Sequence, residues 1–317
     1  MGVSPFGPTG SGRSRWRTVV VAVAVLTFFG IALAARWRDV TARKWDPDPG
    51  YLALATVVLA VSYAMVAALW AAALRRAAGL RLARGMRIWF ASNLARYVPG
   101  NVWSFVGAVE LARREGVPRR TTLAVMTLAQ LLSVGTALLT GLPVLVAGKA
   151  RLGLAAGLGG LAVALAAVLA VALRHRLAAL LRRRYPEVGA GELAPSPGTA
   201  AALAAGYGLY WVVTGLAFAL LIHSLRPLAA AQVPLAVAAY AAAYAIGFLS
   251  LVTPAGLGVR EGVLTVALVQ IMPAGAALAV ALLSRLWMML VELAGAGVMQ
   301  LLDRGRAARQ PAGSTPE

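Results

Sequence analysis

Long apolar runs separated by short charged segments dominate this sequence. Six of the runs are long enough to cross a bilayer as helices, which takes about 20 residues each. They are residues 18–35, 51–74, 121–148, 152–173, 199–225 and 276–301. We therefore predict an all-α, polytopic integral membrane protein with about six spanning helices.

Two further apolar segments are interrupted by helix-breaking residues. Residues 88–111 contain a Pro-Gly pair at 99–100, and residues 234–272 contain a Pro-Ala-Gly run at 254–256. Irregular backbone at membrane depth is tolerated only where protein buries it or where it lines a cavity. We therefore predict that each segment forms two short helices that meet at a Pro/Gly turn, as a re-entrant hairpin.

The distribution of positive charge supports these hairpins. Most of the 30 Lys and Arg residues lie between the apolar runs. If both interrupted segments return to the side they enter from, most basic residues face the cytoplasm, as the positive-inside rule requires. If residues 88–111 cross once instead, every later loop flips and the rule is violated. We predict that both termini face the cytoplasm, as do the loops at 113–120 and 174–184. The loops at 39–48 and 226–232 are predicted to face outside.

The predicted elements occur twice in the same order. Residues 18–148 form a span, a span, a hairpin and a span, and residues 152–301 repeat this order. Three spans per half invert the second half, so the hairpins enter from opposite sides and their tips approach each other near the midplane. Interrupted segments at matching positions of inverted halves indicate a transporter's binding site. Accidental symmetry between two Ala-, Leu- and Val-rich halves is the alternative.

Composition sets the domain organisation and excludes several kinds of site. We predict a basic cytoplasmic tail at 1–17, a single transmembrane domain at 18–306 and a disordered tail at 307–317. The chain has no Cys and only 2 His residues, so we expect no disulfide, metal site or cofactor. The net charge is +19, and the basic residues that cause it cluster beside predicted membrane helices. This placement indicates anionic lipid, and not nucleic acid, as the partner.

Charges after the second break are candidate functional residues, because ionisable groups inside a membrane are costly. We predict that a helix begins near Gly258, which places Arg260 and Glu261 in its first turn. Glu261 suits the positive end of the helix dipole, but Arg260 needs an anion. That anion is Glu261, Glu292 or a ligand phosphate bound near free backbone N–H groups. A ligand site and an internal salt bridge are the alternatives.

Three other charges extend this candidate site. Arg96 precedes the first break and either reaches the midplane or snorkels to the cytoplasmic interface. Arg285 and Glu292 are two turns apart on roughly one face of the last span, and either pair structurally or contact ligand. The complete predicted ligand-binding set is Arg96, Pro99, Gly100, Asn101, Thr253, Pro254, Gly256, Gly258, Arg260, Glu261, Arg285 and Glu292.

Two polar residues outside this set have structural interpretations. Gln130, inside the third span, is predicted to form an interhelical hydrogen bond. Glu110 has Arg113 and Arg114 three and four residues later, which indicates a solvated ion pair on a helix surface. No Ser has a base at a known catalytic spacing, so we predict a transporter or flippase-like protein and not an enzyme.

Two motifs carry a resemblance to a known family. They are Arg-Tyr-Val-Pro-Gly-Asn at 96–101, followed by Gly-Val-Pro at 116–118, and Thr-Pro-Ala-Gly-Leu-Gly-Val-Arg-Glu-Gly at 253–262. They resemble the signatures of the lysylphosphatidylglycerol synthase transmembrane-domain family, from the second span to the last. The resemblance implies a flippase-like membrane domain, which in its namesakes moves aminoacylated phosphatidylglycerol between leaflets. No synthase domain follows the membrane region here, so we do not expect lipid aminoacylation.

Two functions follow from these observations. The leading hypothesis is flippase-like translocation of an anionic lipid or lipid-linked headgroup across the cytoplasmic (inner) membrane by a multi-pass protein. Its basis is the net positive charge between the two broken segments. The alternative is a non-transporting membrane partner of a lipid-modifying or glycosyl-transfer enzyme, in which the basic loop at 174–198 carries the function.

Overall fold

The fold is all-helical wherever the chain is described. The computed structural model describes residues 45–97, 103–147, 196–250, 256 and 258–307, together with the single positions 176, 179 and 183. None of these residues is in a β-strand. The predicted all-α fold is therefore confirmed.

Eight α-helices lie in the described ranges. They are α1 (Pro49–Ala78), α2 (Leu82–Asn93), α3 (Trp103–Arg114), α4 (Arg119–Ala147), α5 (Pro197–Leu225), α6 (Val233–Leu249), α7 (Val259–Leu268) and α8 (Ala274–Ala307). Short 3-10 turns at Leu94–Tyr97 and Ala230–Gln232 follow α2 and precede α6.

Five helical segments in the described part are long and apolar enough to cross a membrane. They are α1, α4, α5, α8 and the segment Ala230–Leu249, which contains α6. Helices α1, α4, α5 and α8 coincide with four predicted spans and have the length and apolar composition to cross, whereas predicted spans 18–35 and 152–173 lie outside the described residues. The number of crossings and the side of each terminus stay predictions.

The ends of the long helices are set by local capping. Before α1, the Asp48 carboxylate accepts hydrogen bonds from the N–H groups of Gly50 (2.8 Å) and Tyr51 (3.0 Å). Pro49 follows, where its missing N–H has no cost. Gly79 ends the helix with a left-handed φ of 71°, which a residue with a Cβ adopts less readily. An N-cap of this kind contributes about 1 kcal/mol.

Each interrupted segment folds as two helices that return along each other. In the first hairpin, α2 packs on α3, and Arg84 in α2 forms a 2.7 Å ion pair with Glu115, just after α3. In the second hairpin, α6 packs on α7, and Arg226 before α6 donates to the Ile271 carbonyl, 3.1 Å away and just after α7. Although the segment Ala230–Leu249 is long enough to span, the chain thus returns through α7 to the end where α6 began.

The open ends of the two hairpins, where the first and last residues of each hairpin meet, lie at opposite ends of the bundle. At the end called end A, the Asp48 N–H before α1 donates to the Ser224 carbonyl near the end of α5, at 2.8 Å. Arg226 and the open end of the second hairpin lie at this end. Helix α1 then runs to Ala78 at the other end, called end B, where α2 begins and the open end of the first hairpin lies. The boundaries differ from the sequence prediction, because α2 begins at Leu82 and not at residue 88.

The packing of the two halves shows matching helix pairs. Contacts of α1 with α2, α2 with α3 and α3 with α4 correspond to those of α5 with α6, α6 with α7 and α7 with α8. Between the halves, Gly141 of α4 lies against Ala242 of α6, and Gly295 of α8 lies against Phe90 of α2. Helices α1 and α5 also run antiparallel, since their opposite termini meet at end A. An inverted repeat requires this pairing, while its orientation in a membrane stays a prediction.

Small residues allow the helices of the second half to approach closely. Ala236, Ala239 and Ala243 of α6 are fully buried at 0% exposure. A Cβ added to Gly141 would lie 2.7 Å from Ala242, so the α4–α6 contact depends on a glycine there. Because lipid gives little hydrophobic force between helices, such close packing is a main source of their association.

Candidate functional site

The break between α6 and α7 is built from glycines in strained or crowded positions. Gly256 and Gly258 have positive φ values of 69° and 82°. A Cβ on Gly256 would lie 2.7 Å from the Gly247 carbonyl oxygen of α6. Glycine is therefore needed at 256 for both conformation and space. Helix α7 begins at Val259, as the sequence predicts.

Glu261 caps the helix that carries it. Its Oε2 atom accepts a 2.7 Å hydrogen bond from the Gly258 N–H, which is the half of a capping box that an N3 carboxylate supplies. The side chain also complements the positive end of the helix dipole. Glu261 is only 5% exposed, and its Oε1 atom is buried without a hydrogen-bond partner in the described structure. Half of this carboxylate therefore remains available to another donor.

Arg260 is buried against aromatic rings. Its Cζ atom lies 4.6 Å from the centre of the Tyr240 ring and 6.0 Å from that of Tyr244, within the range of cation–π attraction. Its Nη1 atom lies 3.6 Å from Met288 Sδ on α8. The residue is 6% exposed. A permanent cation is thus held at the start of α7, where the helix dipole alone disfavours it.

Two further buried charges lie on the face of α8 that Arg260 contacts. Arg285, Met288 and Glu292 are spaced three and four residues apart and so share one helix face. Arg285 is 4% exposed and Glu292 is 1% exposed. Between them, Met288 Sδ accepts from Arg260 and from the Tyr240 hydroxyl, which is 3.5 Å away. Arg260 therefore contacts the α8 face that carries Arg285 and Glu292, and Glu261 is its neighbour in the first turn of α7. We call these four predicted site residues the charged cluster.

The first break approaches the same helix. The 3-10 turn Leu94–Tyr97, which carries Arg96, contacts α8, and Gly295, almost one turn after Glu292, lies against Phe90. The turn with Arg96 and the face with Glu292 are therefore neighbours. The remaining predicted site residues lie outside the described residues, as does the predicted meeting of the two tips. They are Pro99, Gly100, Asn101, Thr253 and Pro254.

A cavity of about 110 Å³ lies beside the first hairpin, among α1, α4, α5 and α6. Its lining combines aromatic, hydroxyl-bearing, amide-bearing and aliphatic side chains, and none of the described lining residues is charged. Gln130 Nε2 donates to the Tyr244 hydroxyl at 3.3 Å, which confirms the predicted interhelical hydrogen bond. Tyr244 lines the cavity, and its ring centre also lies 6.0 Å from Arg260 Cζ, so this residue borders both the cavity and the start of α7.

Sequence reasoning missed the aromatic part of the site. Tyr240 and Tyr244 are four residues apart on α6, so they share one face, and this face precedes the break. A repeated tyrosine at helical spacing within an Ala-rich run is the signal that could have identified them. Met288 gives no such signal, because its role depends on the contact between α7 and α8.

The described residues contain no group of three or more His, Cys, Asp or Glu side chains able to hold a metal ion. Their chemistry is that of buried charge beside aromatic and hydroxyl groups. Fold and site together define a multi-pass helical membrane protein with charges buried at a broken helix pair.

The comparisons place this protein in a family. The chain matches the lysylphosphatidylglycerol synthase TM region over residues 16–295, and it therefore belongs to that family. The resemblance based on the two motifs is confirmed, and the family identifies a membrane protein related to lipid handling. None of the curated proteins matches the sequence.

Proposed function

We propose that the protein translocates an anionic lipid, or a lipid-linked anionic headgroup, between the leaflets of the cytoplasmic membrane. The observation that carries this proposal is the burial of Arg260 at the start of α7, directly after a glycine-rich break. Burying a charge at membrane depth costs several kcal/mol or more on most scales, at least about 2.5 kcal/mol. Such a residue is retained where it binds something, and family membership supports a lipid.

The chemistry around Arg260 suits a phosphate. A guanidinium can bind two phosphate oxygens at once, and the first turn of a helix adds favourable N–H groups and a positive dipole. In the structure Glu261 already caps one of these N–H groups. We infer that this carboxylate satisfies the helix terminus when no headgroup is bound, and that the Arg260 side chain receives the phosphate.

The arrangement of the hairpins suits movement between leaflets. The first hairpin has its open end at end B and the second at end A, and both contact α8, the helix that carries Arg285 and Glu292. In transporters with inverted repeats, a site between two broken segments becomes accessible from each side in turn. We infer that the charged cluster is the point at which a headgroup passes from one side to the other.

The alternative of a non-transporting partner protein depends on the loop at 174–198. Apart from the positions 176, 179, 183 and 196–198, this loop lies outside the described residues, and no observation favours it. The buried charges of the described residues support the translocation proposal instead.

Reconstitution into liposomes with fluorescent anionic lipids tests the proposal. We expect the wild-type protein to accelerate leaflet exchange, and Arg260→Gln to abolish most of that acceleration. Arg75→Gln is the matched control, because Arg75 is an exposed arginine in the last turn of α1. No acceleration for any lipid of an anionic panel would contradict the proposed function.

A further inference from the structure

One oxygen of Glu261 has no role in the phosphate site. The residue is 5% exposed, and while its Oε2 atom caps α7, its Oε1 atom is buried without a hydrogen-bond partner in the described structure. Buried polar atoms are nearly always hydrogen-bonded, so this oxygen requires an explanation. We propose that Glu261 binds a proton together with each anionic headgroup and releases it on the other side of the membrane. This inference rests on the proposed function and adds its coupling ion.

A bound phosphate and the Glu261 carboxylate compete for the same helix terminus. The N–H groups of a first helical turn and the positive end of its dipole attract an anion, and Glu261 already accepts from the Gly258 N–H at 2.7 Å. A phosphate on Arg260, the preceding residue, adds a second anion there. Like charges that share a buried site disfavour each other's ionised form. Headgroup binding therefore favours protonation of Glu261, and protonation favours headgroup binding to the same extent.

Charge balance in the cluster gives a ratio of one proton per headgroup. Arg260 and Arg285 carry two positive charges, and Glu261 and Glu292 carry two negative charges, so the four side chains are neutral together. A phosphodiester without other charges adds one negative charge to this set. Because uncompensated charge at membrane depth is costly, one proton restores the neutral balance.

The surroundings of α7 favour Glu261 as the group that takes the proton. Helix α7 packs on α6 and α8. The titratable residues of α6 are Tyr240 and Tyr244, and the charged residues of α8 between 274 and 302 are Arg285 and Glu292. Glu292 already has an interaction partner. Among the described carboxylates, the buried oxygen without a hydrogen bond belongs to Glu261.

Protonation changes Glu261 from a competitor of the phosphate into a donor. A protonated carboxyl group has one O–H donor and keeps its capacity to accept. With the proton on Oε1, Glu261 can donate to a phosphate oxygen while Oε2 still accepts from the Gly258 N–H. The proton enters with the lipid from one compartment and leaves with it into the other. A lipid with one negative charge then crosses without net charge, so a pH gradient drives it and a membrane potential does not.

Lipid exchange under imposed gradients tests this coupling. The probe is fluorescent phosphatidylglycerol in proteoliposomes, because its headgroup carries a single negative charge. With a pH difference of about one unit, we expect up to about tenfold accumulation in the leaflet that faces the alkaline compartment, since one proton contributes 2.303RT per pH unit. A protonophore should abolish the accumulation, and a potassium diffusion potential should not produce it.

Glu261→Gln separates proton binding from helix capping. A carboxamide oxygen can still accept from the Gly258 N–H, but the side chain takes up no proton. The exchange that remains in this variant should show no accumulation under a pH gradient. It should instead respond to the membrane potential, because the lipid charge now crosses alone. Glu115→Gln is the matched control, since Glu115 is an exposed acid just after α3, and it should accumulate lipid as the wild type does.

Proton uptake on binding is a second measurement that needs no transport. Short-chain dihexanoyl-phosphatidylglycerol is added to weakly buffered, detergent-solubilised protein, and a pH indicator follows the protons while the Tm reports binding. We expect the wild type and Glu115→Gln to take up at most one proton per bound lipid, as the charge balance requires. Glu261→Gln should take up none.

The possible failures have separate meanings. Equal distribution of the lipid under a pH gradient, without proton uptake on binding, would overturn the coupling and leave the proposed translocation intact. Accumulation driven by a sodium gradient would overturn the proton as the coupling ion. Proton uptake that persists in Glu261→Gln would overturn the assignment to Glu261. Neither exchange nor binding of any anionic lipid would overturn the coupling together with the proposed function.

Discussion

The two hairpins occupy matching positions in the two halves of the chain, yet their charges differ in position. The first hairpin has described charges near its open end, and the second has them at its tip. In the first hairpin the described charges include Arg84, Glu110 and Glu115, which form exposed ion pairs toward end B. In the second hairpin Arg260 and Glu261 lie at the closed tip and are almost fully buried. Exposed ion pairs contribute little to stability, whereas a buried charge must be supported by protein or ligand.

The backbone is also more crowded at a glycine of the second hairpin than at a glycine of the first. In the first, a Cβ added to Gly107 would lie 3.6 Å from the Ser92 side chain, an ordinary contact. In the second, a Cβ added to Gly256 would collide with the Gly247 carbonyl at 2.7 Å. The comparison teaches that equivalent positions in a repeat can diverge in role. The first hairpin forms a wall of the neutral cavity, and the second holds the buried cation.

The largest effect is expected from Gly256→Ala. This change places a side chain at a φ of 69° and against backbone, so strain of about 1–3 kcal/mol adds to a steric clash. Gly107→Ala is the control in the first hairpin, where alanine fits and improves helix propensity by up to about 1 kcal/mol. Melting temperatures in detergent should fall sharply for the first variant only. Equal losses for both would remove the distinction between the hairpins.

The next effect concerns Arg260 and tests what the buried cation does. If it holds a phosphate, lipid exchange should decrease from wild type to Arg260→Lys and further to Arg260→Ala, by roughly tenfold or more for alanine. Lysine keeps the charge but loses the planar fork that binds phosphate twice. All three proteins should insert and fold.

A double variant separates this ligand role from a structural salt bridge. Breaking a buried pair by removing one partner costs about 3–5 kcal/mol, so Arg260→Ala would then lower the Tm strongly and Arg260→Ala/Glu261→Ala would recover much of it. We expect no such recovery, because Glu261 already caps its own helix through Gly258. Strong rescue in the double variant would establish the structural interpretation.

A topological experiment tests whether the hairpins open to opposite sides. The chain has no Cys, so single cysteines can be labelled selectively. Arg114→Cys should react from the cytoplasmic side and Ala229→Cys from the outside. Both positions are exposed, whereas Gly116, in the same predicted loop, has a φ of 83° and is a poor site for substitution. Labelling of both cysteines from one side would exclude hairpins that enter from opposite sides.

Sequence reasoning predicted the parts of this protein that depend on local composition. The long helices α1, α4, α5 and α8 follow from uninterrupted apolar length, and the start of α7 follows from Gly258. It missed the first turns of α2, which begins at Leu82. Arg84 and Arg87 break the apolar run in the sequence, but an amphipathic helix accommodates them. It also missed the cavity, whose lining converges from helices that are distant in sequence. Tyr63 and Tyr244 line the same cavity only because their helices pack together in the fold.

The smallest effect is expected at the mouth of the first hairpin. The hydrogen bond from Arg113 to Glu110, at 2.9 Å, lowers the pKa of that carboxyl from 4.5 to about 2, with a further contribution from Arg114. Because the folded-state pKa is lower than the unfolded one, the pair stabilises the folded protein above pH 4.5, and this contribution is lost as the pH falls toward 2.

Glu110→Gln should therefore lower the Tm only slightly at pH 7, because water and salt screen an exposed pair. The difference from wild type should shrink as the pH is lowered, and added salt should reduce it at neutral pH. Paired melting curves of the two proteins between pH 3 and 7 measure this. A large Tm loss at pH 7 that resists salt would mean that the mouth of the first hairpin carries buried charge, as the tip of the second one does.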